Sequence, residues 1–177
     1  MRPFASLADC PHCPLGKVYC HSPRMKGRGP LDHPDVVYVA EAPGNDEDQS
    51  GKPMVGMSGE FNDETMEKVG FDLSRVRFTN AVRCRPPHNG TPSWDAIKSC
   101  KPALIAEIEH CKPKVVIVAG GTALRAVGKG GTITDNRGRW FARGEQFYVP
   151  TWHPAALMRS KSPAMLREYV EDLNMAL

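Results

Sequence analysis

No apolar run in this 177-residue chain approaches the length of a bilayer span, which excludes membrane-crossing helices. The N-terminal stretch MRPFASLADCPHCP lacks the hydrophobic core of a signal peptide and points to the cytosol. Internal repeats and low-complexity segments are missing too, so residues 1–177 are expected to form one domain with its own hydrophobic core. Charge of a single sign is scarce, with a net of only +3, yet it is unevenly spread. From Glu41 to Glu67 eight acidic residues stand against Lys52 alone, and from Gly121 to Arg167 eight Lys or Arg stand against Asp135 and Glu145. A basic face beside an acidic rim suits a polyanion held while chemistry happens at one point. Six cysteines in a cytosolic chain favour a metal over disulfides.

What is present is an alternation of strands and helices. Short β-forming runs lie at Val36–Ala40, Val76–Val82, Val115–Ala119 and Gln146–Thr151, with helical stretches between them, the pattern of a parallel sheet covered on both faces. Ser58 is expected to cap a helix ending at Gly70, with Phe61, Met66 and Val69 inward. Ser93 opens another, in which Ile97, Cys100, Leu104, Ile108 and Cys111 recur at helical spacing, while Pro102 predicts a kink or break near Cys100. A short helix is expected from Thr122 to Val127. Ser162-Pro163 starts the last helix, with Leu166, Val170, Leu173 and Leu177 inward. Trp140–Arg143 and Gln146–Val149, around Gly144-Glu145, read as a hairpin feeding the fourth strand.

The ends of three strands carry chemistry. In an α/β sheet, the loops past the carboxyl ends of the strands are where ligands bind. Glu41 directly follows the first strand, Pro43-Gly44 turns the chain, and Asp46, Glu47 and Asp48 come next. A carboxylate there can act as a base or stabilise a developing cation. The second strand presents Asn80, whose amide offers one acceptor and paired donors, the complement of an imide's N3–H and O4 edge. Cys84, Arg85, Pro86 and Pro87 follow. The fourth strand ends in TWHPAALMRS, where His153-Pro154 fixes an imidazole. The apolar tip Leu157–Met158, flanked by Arg159 and Lys161, reads as a rigid loop made to enter a DNA groove, because apolar wedges that unstack bases are a known device of duplex binding.

Cys10 and Cys13 form a CxxC, and fifteen residues separate Cys84 from Cys100. Two distant pairs can converge as a four-thiolate site, and spacing alone does not separate tetrahedral zinc from an iron–sulfur cluster. Cys20 reads as a remaining thiol or an alternative ligand, and Cys111 as a small core residue.

Together AEAPGNDED, GKPMVG, TNAVRCRPP and TWHPAALMR, with the four-cysteine frame, resemble a family 4 uracil-DNA glycosylase from Cys10 to the final helix. The resemblance implies a three-layer α/β/α sandwich around a four-stranded parallel sheet. It also implies a structural 4Fe–4S cluster on Cys10, Cys13, Cys84 and Cys100, zinc being the alternative. The expected substrate is DNA carrying a flipped uracil, single- or double-stranded, and the expected state a monomer away from membranes. By the same resemblance Glu41, or secondarily Glu47, would act on the sugar and the attacking water, and Glu47 would otherwise wall the pocket near C5. His153 would stabilise the leaving base, Asn80 would read it, and the backbone at Ala42 and Gly44 would complete its contacts. Arg83, Arg85, Arg137, Arg139, Arg159 and Lys161 would hold phosphates while Leu157–Met158 fills the gap.

Two residues depart from the family pattern. Ala40 replaces the usual Gly, which should tighten a turn, and Met54 replaces the usual Phe that stacks on the base, which predicts weaker uracil binding or a pocket admitting a C5-modified pyrimidine. The stretch GTITDNRGRW lacks the histidine by which a related branch bonds covalently to its substrate, so ordinary hydrolysis is expected. The alternatives are a glycosylase for another C5-modified pyrimidine, a non-catalytic iron–sulfur DNA-binding module, and a zinc-stabilised nucleotide-binding protein.

Overall fold

Val36–Ala40 forms β1, and all of it is buried because the strand lies between two layers of helices. The computed structural model describes residues 13–17 and 20–177. Around β1 stand β2 (Val76–Asn80), β3 (Val115–Ala119), β4 (Phe141–Arg143) and β5 (Gln146–Thr151), in the order β2-β1-β3-β5-β4. The anticipated four parallel strands are β1, β2, β3 and β5. The sheet is nevertheless five-stranded and mixed among the described residues, because β4 pairs antiparallel with β5 at one edge. That edge is the hairpin around Gly144-Glu145, and Gly144 adopts the positive φ of +59° that a two-residue hairpin turn requires.

Seven α-helices are present among the described residues: α1 (Asn45–Ser50), α2 (Met57–Val69), α3 (Trp94–Cys111), α4 (Gly120–Ala126), α5 (Ile133–Asn136), α6 (Pro154–Ser160) and α7 (Pro163–Ala176). Alternation along β1 divides the core in two. Val37 and Val39 pack with Ile97, Leu104 and Ile108 of α3 and Leu124 of α4, whereas Val36, Tyr38 and Ala40 pack with Met66 of α2 and Tyr169 and Leu173 of α7. Cys111 is fully buried in the first of these layers. No described helix is long and apolar enough to cross a membrane.

Several local expectations change. Helix α3 runs unbroken through Pro102, which lies on its exposed side. The unsatisfied carbonyl therefore meets water, and the buried face holds the helix together against a cost of about 3 kcal/mol. Gly56 rather than Ser58 caps α2, although Gly70 does end it in the left-handed conformation. Helix α4 starts at Gly120 rather than Thr122, and β2 stops at Asn80 rather than Val82. Helix α7 turns Tyr169, Asp172, Leu173 and Ala176 inward, leaving Leu166 and Leu177 exposed, because Asp172 is drawn in to accept from Thr151 and Arg137. Ala40 is the buried last residue of β1, so it tightens no turn. The segment after His153 is helix α6 rather than a rigid loop.

Candidate active site

Parallel register sets the carboxyl ends of the strands level. Ala40 lies opposite Asn80, and Ala119 opposite Thr151. The residues just beyond those ends therefore emerge along one edge: Asn80 from β2, Glu41 after β1, Thr122 after β3 and His153 after β5. The connections leave β1 and β3 toward opposite faces, α2 against one layer of the core and α4 against the other, and such a switch point opens a crevice. Two backbone bonds, Ala81 N–H to Ala40 O at 2.8 Å and Val82 N–H to Glu41 O at 3.0 Å, carry the β1–β2 pairing past the strand ends and fix Glu41 against Asn80.

The crevice is a cleft of about 280 Å³ that Glu41, Asn80 and His153 line together, joined by Ala42, Gly44, Glu47, Met54 and Arg159. Thr122 donates to Glu41 Oε2 at 2.7 Å across the switch point. The His153 ring caps α6, its Nδ1 accepting the Ala155 N–H at 3.2 Å. A nitrogen that accepts carries no proton, so neutral His153 is protonated on Nε2. Burial, opposed by the nearby Glu41 carboxylate, holds its pKa below the usual imidazole value. Glu41→Gln is accordingly expected to lower the His153 pKa further. A ring-proton NMR titration of the two proteins checks this, and coincident curves would uncouple the groups.

Glu47 is held differently. Its Oε2 accepts from Gly44 N at 3.0 Å, and its Oε1 from Val55 N at 3.0 Å and Gly56 N at 2.8 Å. Both oxygens are thus committed to backbone amides that join the two loops walling the cleft. The amide of Gly44 is committed with them. A Cβ on Gly44 would come within 2.7 Å of Glu47 Oε2, so a larger residue there would push the Glu47 carboxylate out of its place.

Arg159, which lines the cleft, and its neighbour Met158 are exposed, while Leu157 is 5% exposed and packs in the core. The expectation of a Leu157–Met158 wedge therefore reduces to Met158, because the helical turn sends Leu157 inward. Arg83 and Arg137 also leave the phosphate-binding set. Arg83 is buried on Glu107, and Arg137 is held by Asp172. Arg85 is partly exposed, with its Nε donating to Asn89 Oδ1 at 2.7 Å. Asn89 and Ala155 also line the cleft, as does Ser58, which the sequence suggests only as a helix cap. Thr122 gives no signal in the sequence, where it reads only as the start of a short helix. The sequence signal for Asn89 is slight, an Asn-Gly step after Pro86-Pro87, and the structure puts Asn89 in the left-handed conformation.

Cys13 and Cys100 are buried, and Cys84 accepts the Arg24 N–H at 3.3 Å. Burial, with neighbouring Cys20, Cys100 and Cys13, pushes the Cys84 thiol up to about 11. Cys10 lies outside the described residues, among which no three Cys, His, Asp or Glu stand at metal-holding spacing.

The model of the uracil DNA glycosylase superfamily matches residues 26–174. A type-4 uracil-DNA glycosylase of Thermotoga maritima is 37% identical over 178 residues, covering 96% of this chain and 88% of the relative. One from Pyrobaculum aerophilum is 33% identical with the same coverage. A type-5 enzyme of the latter organism matches over only 33% of this chain. The cleft and these relationships lead to one conclusion: the chain belongs to the uracil-DNA glycosylase superfamily and, within it, to the type-4 enzymes.

Proposed function

We propose that this protein hydrolyses the N-glycosidic bond of uracil in DNA, releasing the base and leaving an abasic site. The observation that carries this reading is the meeting of Glu41, Asn80 and His153 in one cleft of base size. Uracil must leave the stack to enter it, at a cost of a few kcal/mol. Inside, the Asn80 amide accepts from N3–H and donates to O4, while His153 Nε2–H donates to O2. As the C1′–N1 bond breaks, its electron pair moves onto the base and is stabilised at O2. Water attacks C1′ and passes a proton to Glu41, which Thr122 orients and which stabilises the cationic sugar beforehand. Met54 covers the base, Met158 enters the vacated stack, and Arg85 and Arg159 hold phosphates. Glu47 shapes the wall rather than activating water, since both its oxygens are committed to backbone.

Cys84 lies close enough to Cys13 and Cys100 for their charges to act on it, and with Cys10, which is outside the described residues, the three supply the thiolates that a type-4 cluster site takes. These residues would hold a 4Fe–4S cluster, whose part is to order the loops near DNA, and every reaction step above belongs to protein side chains. Zinc is the alternative, and iron analysis of the purified protein separates the two.

The direct test is base release from oligonucleotides carrying uracil, thymine, 5-hydroxymethyluracil or cytosine-derived lesions, single- and double-stranded. Release of uracil in preference to the other bases is expected. DNA binding without release would favour the non-catalytic module. Met54→Phe is expected to raise kcat/KM on uracil by about threefold to tenfold, because a rigid aromatic surface adds roughly 1 kcal/mol of stacking. Unchanged or lower activity would count against base stacking at this position.

A further inference from the structure

The turn Pro53–Gly56 carries Met54 in a left-handed conformation, φ +57°, that bulky residues seldom adopt. Charged side chains hold the turn from two sides. Glu47 accepts the N–H groups of Val55 and Gly56. Arg28, from a segment remote in sequence, donates through Nε to the Pro53 carbonyl at 3.1 Å and through Nη2 to that of Met54 at 3.4 Å. Its guanidinium is itself held by Asp63 of α2 at 2.6 Å and lies 3.9 Å from the ring centroid of buried Phe78. Paired backbone bonds between Arg28 and Phe78, at 3.0 and 2.9 Å, fasten its main chain to β2. Beneath the turn, a Cβ on Gly59 would strike the Met54 carbonyl carbon at 2.2 Å, so the turn rests directly on α2.

We propose that Arg28 is a positioning residue for base selection: with Glu47 opposite, it fixes the turn carrying Met54, and thereby how closely the cleft fits an unsubstituted uracil. This rests on the uracil reading above. A cation that takes carbonyls and an anion that takes amides leave the turn one arrangement, so the backbone supplies rigidity that a methionine side chain lacks. Without Arg28 the turn can yield to a C5 substituent and grips plain uracil less well. Lysine does not restore the arrangement, because a single ammonium cannot fork over two carbonyls and a carboxylate together.

The test compares the full-length protein with Arg28→Ala, Arg28→Lys and, as a control, Arg75→Ala. The control breaks the exposed Arg75–Asp35 pair, which is outside the cleft. Measured quantities are kcat/KM on single-stranded oligonucleotides carrying uracil or 5-hydroxymethyluracil, inhibition by free uracil, and melting temperature. Arg28→Ala is expected to reduce the preference for uracil over 5-hydroxymethyluracil, and to weaken inhibition by free uracil, by about tenfold each. Arg28→Lys should fall between it and wild type, and Arg75→Ala should change neither quantity. A lowered melting temperature with unchanged preference and inhibition would overturn the role, as would a control that shifts them equally. If Arg28→Ala does not fold, Arg28→Lys decides alone, and wild-type values in it overturn the proposal. A wild-type protein that releases no uracil would refute the underlying activity, which is a separate outcome from unchanged selection in an active enzyme.

Discussion

Replacing His153 by alanine is expected to slow single-turnover release of uracil by about a hundredfold, since one well-placed donor to a developing oxyanion contributes about 3 kcal/mol to the barrier. The donor is placed by the fold. Nδ1 accepts the Ala155 N–H and β5 ends two residues earlier, so Nε2–H is the donor left to the base. Asn80→Ala, which removes the reader of N3 and O4, should cost at least about tenfold by the same reasoning. Near-normal rates in both variants would remove the proposed pocket. The pH dependence has a definite sign. Because burial lowers the folded pKa of His153 below its ordinary 6.5, the ring stays neutral through the neutral range. The acidic limb of kcat/KM that belongs to it should therefore lie below pH 6.5. The unfolded chain takes up this proton first, so the stability linked to His153 is present above 6.5 and is lost as pH falls through the lower folded value. Protonating Nδ1 would also set it against the Ala155 N–H and break the α6 cap.

Glu107→Gln is expected to lower the melting temperature by roughly 10 °C. Glu107 is fully buried and accepts from Arg77 Nε at 2.8 Å, Thr79 Oγ1 at 2.8 Å and Arg83 Nη2. One carboxylate thus offsets two guanidiniums inside the layer between β2 and α3. Glutamine at this position would take the shared anion away from both guanidiniums, and breaking a buried pair in this way costs about 3–5 kcal/mol. For a chain of this length each kcal/mol shifts the midpoint by roughly 2–4 °C. The physical account requires that Glu107→Leu combined with Arg77→Met and Arg83→Met be less destabilised than Glu107→Gln alone, because the triple variant removes the two cations together with their shared anion. A triple variant that melts lower than the single one would place the effect in packing instead. Arg83 precedes Cys84, and its carbonyl accepts the Met25 N–H at 2.8 Å, so the same network anchors the loop of a proposed cluster ligand.

Much of this was legible in the amino-acid order alone. The uninterrupted Val36–Ala40 run announced a strand covered on both faces, and Glu41, Asn80 and His153 stood out by following strands. Other features were hidden. Arg83 reads as surface charge beside Arg85, and nothing local reveals that Glu107, twenty-four residues on, draws it inside. Leu157 and Met158 look equivalent in a list of residues, but one helical turn buries the first and exposes the second. Glu47 looks like a second catalytic acid until its three backbone donors are seen.

What sequence by itself determined were the elements and the chemical kinds of group at their ends, because strand propensity, helix caps and apolar periodicity are local properties. Tertiary structure alone decided which of those groups meet and which charges are consumed internally. Register aligns the strand ends, and the order β2-β1-β3-β5 sets Asn80, Glu41, Thr122 and His153 side by side. Arg28 acquires its place at Met54 only when distant segments close on one another, and such contacts depend on the whole fold rather than on any stretch of it.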